Sequence, residues 1–284
     1  TLLGLVSHEY FHAWNVKRIK PAAFVPYDLA REGYTRQLWA FEGITSYYDD
    51  LALLRSGVID TASWLELVGR TASAVTRTPG RRVQSVADAS FDAWIKYYRP
   101  DENTPNAGVS YYAKGALVAL ALDLTLRASG SSLDALMREL WRRHGVTGVG
   151  VPEDGIARIA SELSGRDLSA FFAAYVEGTD ELPLAQLLAS HGVRLALRPA
   201  QGAKDRGGKP GSPDSPRASL GATWSPDLRL QHVFAGGSAQ AAGLAPGDTL
   251  VAFDGLKVSA ERLDAYARDG RPGDRIAVHA FRRD

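Results

Sequence analysis

The hydrophobic period of this chain changes once, close to Pro199, and that change restricts it to two unlike units. Up to about residue 195 the apolar residues recur at helical spacing, whereas after Arg217 they alternate at the two-residue period of strands. Between the two lies a run of Gly, Pro, Ser, Lys, Asp and Arg with almost nothing to bury. A chain of 284 residues has room for two domains. The expected organisation is a mostly α region over 1–198, a flexible linker over 199–217 and a small α+β module over 218–284.

The pattern predicts helices over Leu3 to Val16, Arg36 to Leu54, Thr61 to Arg77 and Tyr112 to Arg127. Ser132 caps another, which the basic residues Arg142, Arg143 and His144 suit at its negative end before Gly145 closes it. Shorter helices are expected over Leu168 to Tyr175 and Leu184 to Ser190, with residues 81–109 mixed and rich in turn formers. Strands are expected over Leu220 to Trp224, Leu228 to Phe234, Thr249 to Phe253 and Arg275 to Phe281. No solenoid-type repeat is visible.

Thirty-three basic residues stand against 32 acidic ones, a net charge of +1, so no field exists to hold nucleic acid or an anionic membrane. No run approaches the roughly eighteen apolar residues that a membrane span needs. Cysteine is absent, which excludes disulfides and thiolate metal sites; any metal must rest on His and carboxylate ligands. The composition does not decide between cytoplasm and periplasm.

The chemistry begins at His8-Glu9-Tyr10-Phe11-His12. Residues four apart share a helix face, so both imidazoles can reach one zinc ion while Glu9 acts as general base toward a water beside it. Leu5, Tyr10, Phe11 and Trp14 mark this helix as a buried element. A catalytic zinc keeps three protein ligands, and Glu42 in Trp39-Ala40-Phe41-Glu42-Gly43-Ile44-Thr45 is the expected third, because a carboxylate among large apolar residues needs a partner. Glu32, in a polar turn, is the alternative. Asp49 is a candidate to orient a ligand imidazole, with its neighbour Asp50 equally placed. His144, His191, His232 and His279 have no ligand spacing and read as structural or solvated.

The string from His8 through Ala13-Trp14-Asn15-Val16-Lys17-Arg18-Ile19, with Glu42-Gly43-Ile44-Thr45-Ser46-Tyr47-Tyr48-Asp49-Asp50, resembles the M61 glycyl aminopeptidases. The resemblance continues at Ser90-Phe91-Asp92-Ala93-Trp94-Ile95-Lys96-Tyr97-Tyr98, at Ser110-Tyr111-Tyr112-Ala113-Lys114-Gly115 and at Tyr175-Val176-Glu177-Gly178-Thr179. It implies a Zn2+ gluzincin, residues 1–198 being the helical part of a thermolysin-like catalytic domain that removes small N-terminal residues, Gly and Ala, from peptide substrates. It also implies that Tyr112, or failing that Tyr111, donates a hydrogen bond to the oxyanion formed during hydrolysis. The related enzymes hold the substrate amine with an acidic group on a strand before the His-Glu-x-x-His helix. Nothing in this sequence precedes Thr1 to supply it, so a fragment, inactive or poorly active by itself, is expected.

The segment Leu220-Gly221-Ala222-Thr223-Trp224, with Gly237 to Leu244 and Pro246-Gly247-Asp248-Thr249-Leu250, resembles a bacterial PDZ domain. That resemblance implies capture of a C-terminal peptide by strand addition, with the loop Leu220, Gly221 and Ala222 holding the carboxylate; the equal alternative is a degenerate module that only packs on the catalytic domain. The end at Arg282-Arg283-Asp284 falls before a last strand. A noncatalytic peptide-binding scaffold and an endopeptidase using the same zinc chemistry are the competing functional readings.

Overall fold

Buried apolar side chains form two clusters, one running from Ile19 to Leu188 and one from Leu230 to Leu263. The structure is a computed structural model that describes residues 2–202, 205–211, 218–271 and 273–282. Thr1, the end of the expected linker (212–217) and the terminal Arg283-Asp284 lie outside the described residues.

The first cluster is built from helices α1 (Leu2–Phe11), α2 (Leu38–Phe41), α3 (Gly43–Arg55), α4 (Thr61–Thr76), α5 (Val86–Phe91), α6 (Thr104–Ala107), α7 (Ala113–Arg127), α8 (Leu133–Leu140), α9 (Gly155–Ser164), α10 (Ser169–Phe172) and α11 (Leu184–Ala189). Asp60, Ser85 and Ser132 cap α4, α5 and α8 by accepting from backbone N–H groups in the first turn. Single π-helical turns follow α5, α8 and α10, at Ala93–Tyr97, Trp141–Gly145 and Ala173–Glu177.

Helix α7, apolar around most of its circumference, is buried on nearly all sides, and α3, α4, α8, α9 and α11 pack around it. Its one buried acid, Asp123, is fully satisfied: Tyr47 Oη donates to it at 2.8 Å, Arg127 Nε at 2.9 Å and the Leu133 backbone N–H at 2.7 Å. The approach of α3 to α7 is closest where two glycines face each other. A Cβ on Gly43 would stand 2.6 Å from the Gly115 Cα, and one on Gly115 would stand 2.8 Å from the Trp39 carbonyl oxygen.

The second cluster belongs to a module of β1 (Ala222–Trp224), β2 (Leu230–Val233), α12 (Ser238–Ala241), β3 (Thr249–Phe253), β4 (Leu256–Lys257), α13 (Ala260–Asp269) and β5 (Val278–Phe281). Strands β1 and β2 pair antiparallel, and a second antiparallel sheet has the order β4-β3-β5. The module meets the helical region at the turn before α6 and at α6 itself. Asn106 donates to the Val233 carbonyl and accepts from the Ala235 N–H, both at 2.8 Å, and the His232 ring donates to the Glu102 carbonyl at 3.1 Å. In the connecting stretch, Arg198 pairs with Asp205 through both guanidinium nitrogens, and Gly207 and Gly208 lie against α4 beside Ser73 and Glu66.

Several sequence expectations need correction. The first helix ends at Phe11 rather than Val16, and the expected helix over 36–54 is two helices broken at Glu42. The expected burial of the first helix is not found: Leu2, Leu3, Leu5, Val6 and Tyr10 are all more than half exposed, because α1 packs on α3 by one face alone. Helices α9 and α13 were not anticipated; β3 spans the expected Thr249–Phe253, whereas β1, β2 and β5 are shorter than their patterns. No helix among the described residues is long and apolar enough to cross a membrane.

Gly43→Ala should lower the unfolding free energy by about 1–3 kcal/mol, since neither backbone can recede without disturbing the core. Urea denaturation reads this directly, and an unchanged midpoint would show that the two helices are free to part.

Candidate metal centre

The break at Glu42 and the end of α1 are tied together by one buried amide. Asn15 Nδ2 reaches the carbonyls of Ala40 and Phe41 and the Thr45 hydroxyl at 3.1–3.3 Å. Phe11 stacks on Tyr48 at 4.8 Å, which seats the inner face of α1 on α3. His8 and His12, one turn apart, then meet edge to face with ring centroids 4.7 Å apart.

Glu42 Oε2 lies 3.2 Å from Nε2 of His8 and 3.2 Å from Nε2 of His12. The other ring nitrogens are both engaged: His8 Nδ1 with Asp49 Oδ2 at 3.1 Å, His12 Nδ1 with the Asn15 carbonyl at 2.8 Å. A carbonyl or a carboxylate can only accept, so each Nδ1 carries a proton and each Nε2 faces Glu42 with its lone pair when the ring is neutral. Three acceptors closing on one point demand a positive charge among them, supplied by protons or by a cation. The metal-free electrostatics reflect this demand. Hydrogen bonds to Asp49 and then to Glu42 raise His8 to about 9. Burial alone would push the Glu42 carboxyl up, but hydrogen bonds from His12 and His8 outweigh it and bring it down to about 2.

His8, His12 and Glu42 offer ligand atoms within 4.8 Å of one another and can hold a metal ion. Two imidazoles and a carboxylate form a donor set that zinc accepts, and no thiolate competes. Their side chains are 13%, 13% and 21% exposed, which shelters the centre yet leaves one side open for a further ligand.

Other candidates are distributed as follows. Glu9 is exposed, one residue from His8. Of the adjacent acids, Asp49 reaches the imidazole while Asp50 points to a small cavity beside Trp64 and Val68, its carboxyl raised to about 6 by burial. Glu32 lies exposed in its turn, outside the triad. The Tyr112 ring is 6.2 Å from that of His8, and burial, a hydrogen bond to Tyr98 and the Glu42 charge all hold its phenol protonated. Tyr111 is buried beneath it, stacked at 4.7 Å, and its hydroxyl donates to that of Tyr98 at 3.5 Å. Leu220, Gly221 and Ala222 belong to the C-terminal module. There the Leu220 and Gly221 carbonyls already accept from Ala239 and Phe234, and the Gly221 N–H donates to Ser219 Oγ.

Sequence reasoning passed over Asn15 and Tyr98. A buried Asn three residues beyond the second histidine, where the helix must end, was the available signal for the first. Nothing local distinguishes Tyr98 from Tyr97.

Residues 1–118 match the sequence pattern of the M61 glycyl aminopeptidase family, which bears out the resemblance read from the sequence over that span. No curated protein matches the chain. Among solved structures, the crystal structure of an aminopeptidase N family protein from Idiomarina loihiensis is similar over the whole of this chain, at 41% identity and a TM-score of 0.93. This chain spans 49% of that one's length.

Asp49→Asn should weaken zinc affinity by about 10- to 100-fold, since the group that orients His8 loses its charge. Competition with a chromogenic chelator measures it, and an unaltered affinity would show that Asp49 has no hold on the imidazole.

Proposed function

We propose that this chain, whose first 118 residues carry the M61 glycyl aminopeptidase pattern, is the metal-bearing part of a zinc aminopeptidase acting on peptides with small N-terminal residues. The observation that carries the reading is the convergence of His8, His12 and Glu42 with both outward imidazole nitrogens held, a geometry suited to three protein ligands and one free position. Zinc, when bound, supplies Lewis acidity and lowers the pKa of a water ligand to about 7.

The chain's own groups divide the remaining work. His8, His12 and Glu42 hold the ion, and Asp49 and the Asn15 carbonyl keep the two imidazoles in the tautomer that leaves Nε2 free. Glu9, beside the triad and open to solvent, takes the proton from the attacking water and returns it to the leaving amine. Tyr112, whose phenol stays protonated, donates a hydrogen bond to the oxyanion developing on the scissile carbonyl. The C-terminal module, proposed as PDZ-like, would add a site for a C-terminal peptide at Leu220 to Ala222.

Glu9→Gln should retain zinc but lower kcat by about 10²- to 10⁴-fold. Metal content and hydrolysis of an alanyl amide check this together, and full activity in the variant would end the proposal. Tyr112→Phe should lower kcat by about 10²- to 10³-fold with KM little changed. Steady-state kinetics decide it, and a change confined to KM would remove Tyr112 from the reaction. Cleavage of N-terminally blocked peptides would favour an endopeptidase instead.

A further inference from the structure

A row of aromatic rings leads away from the candidate metal centre to the surface. Tyr112, which faces His8, lies 5.6 Å from Tyr97; Tyr97 lies 5.5 Å from Tyr98, and Tyr98 lies 6.3 Å from Trp94. The inner end is half-buried, but the outer end is open: Tyr98 is 60% exposed and Trp94 50%. Trp94 and Tyr97 sit on the π-helical turn after α5, a distortion frequent at functional sites.

The open rings are held in place. The Trp94 indole N–H donates to the Gly33 carbonyl at 3.1 Å, and the Tyr98 hydroxyl is engaged by Tyr111. Lys96, on the same turn, is paired with Asp92 at 2.6 Å, so its charge is compensated. A pre-organised aromatic face suits an apolar or aromatic side chain, which it binds at little entropic cost. Same-face side chains of an extended peptide repeat about every 7 Å, close to the ring spacing along the row.

From this arrangement we infer that Tyr97, Tyr98 and Trp94 form a subsite for an aromatic or large aliphatic side chain on the leaving-group side of the scissile bond. The inference rests on the aminopeptidase reading above. An enzyme of that kind accepts one residue before the bond, so a surface reaching outward from the metal centre meets residues after it. The subsite takes uncharged, bulky side chains, in contrast to the small residue at the N-terminus.

The test compares Ala-Phe-Ala amide with Ala-Gly-Ala amide. The Phe peptide should be preferred by about fivefold or more in kcat/KM, expressed in KM, as one added aromatic contact allows. Trp94→Ala should bring the ratio toward one, and Trp94→Phe should retain most of it. Tyr98→Ala gives a second route should Trp94→Ala fold poorly. A ratio unchanged in both alanine variants, or absent in the unmodified protein, overturns the subsite. If neither peptide is cleaved, calorimetric binding of the same two peptides decides the subsite alone. Tighter Phe binding that Trp94→Ala removes supports it, and equal or undetectable binding overturns it.

Discussion

Helices α3 and α7 approach each other backbone to backbone at Gly43 and Gly115, where neither position has room for a Cβ. The site depends on that contact because of what flanks it. Glu42 immediately precedes Gly43, and Tyr112 stands three residues before Gly115, at the mouth of α7. The two glycines therefore set the distance between an acidic ligand candidate and a phenol carried on different helices. A side chain at either position would wedge the helices apart in a core that is packed like a solid and has no soft direction in which to yield.

The first helix reaches this platform by different means. Its outer residues, Leu2, Leu3, Leu5 and Val6 among them, contribute little burial, and it is held by Phe11 on Tyr48 and by the reach of Asn15 to Ala40, Phe41 and Thr45. Asn15 has two tasks at once: its side chain closes the break at Glu42, and its carbonyl fixes the His12 tautomer. Binding and fold thus share one residue, which couples the position of α1 to the chemistry of its histidines. The small C-terminal module is seated through polar groups of the segment 102–106, which lies in sequence between the exposed Tyr98 and the buried Tyr111. Interfaces of that polar kind between domains hold less firmly than a shared core.

Much of this was legible in the residues themselves. Spacing alone put His8 and His12 on one face, burial cost alone singled out Glu42 over Glu32, and the period change near Pro199 separated the helical part from the strands. Helix α9 escaped because it follows irregular sequence with Gly at its start, although Ile156, Ile159 and Ala160 do carry a helical stripe. The exposure of α1 escaped for another reason. An apolar residue is a statement about what could be covered, and only the packed chain shows whether anything covers it.

What the sequence determined by itself were the candidate ligand types, their order along the chain and the absence of thiolates, because these follow from residue chemistry and local helical geometry. What only the tertiary structure decided was direction. Asp49 and not Asp50 meets His8, Tyr112 and not Tyr111 faces the triad, and Tyr98 joins them from a distant turn. Neighbouring residues of like type cannot be told apart by composition or period, since each choice turns on a rotation about a helix axis that the packing of α1, α3 and α7 imposes.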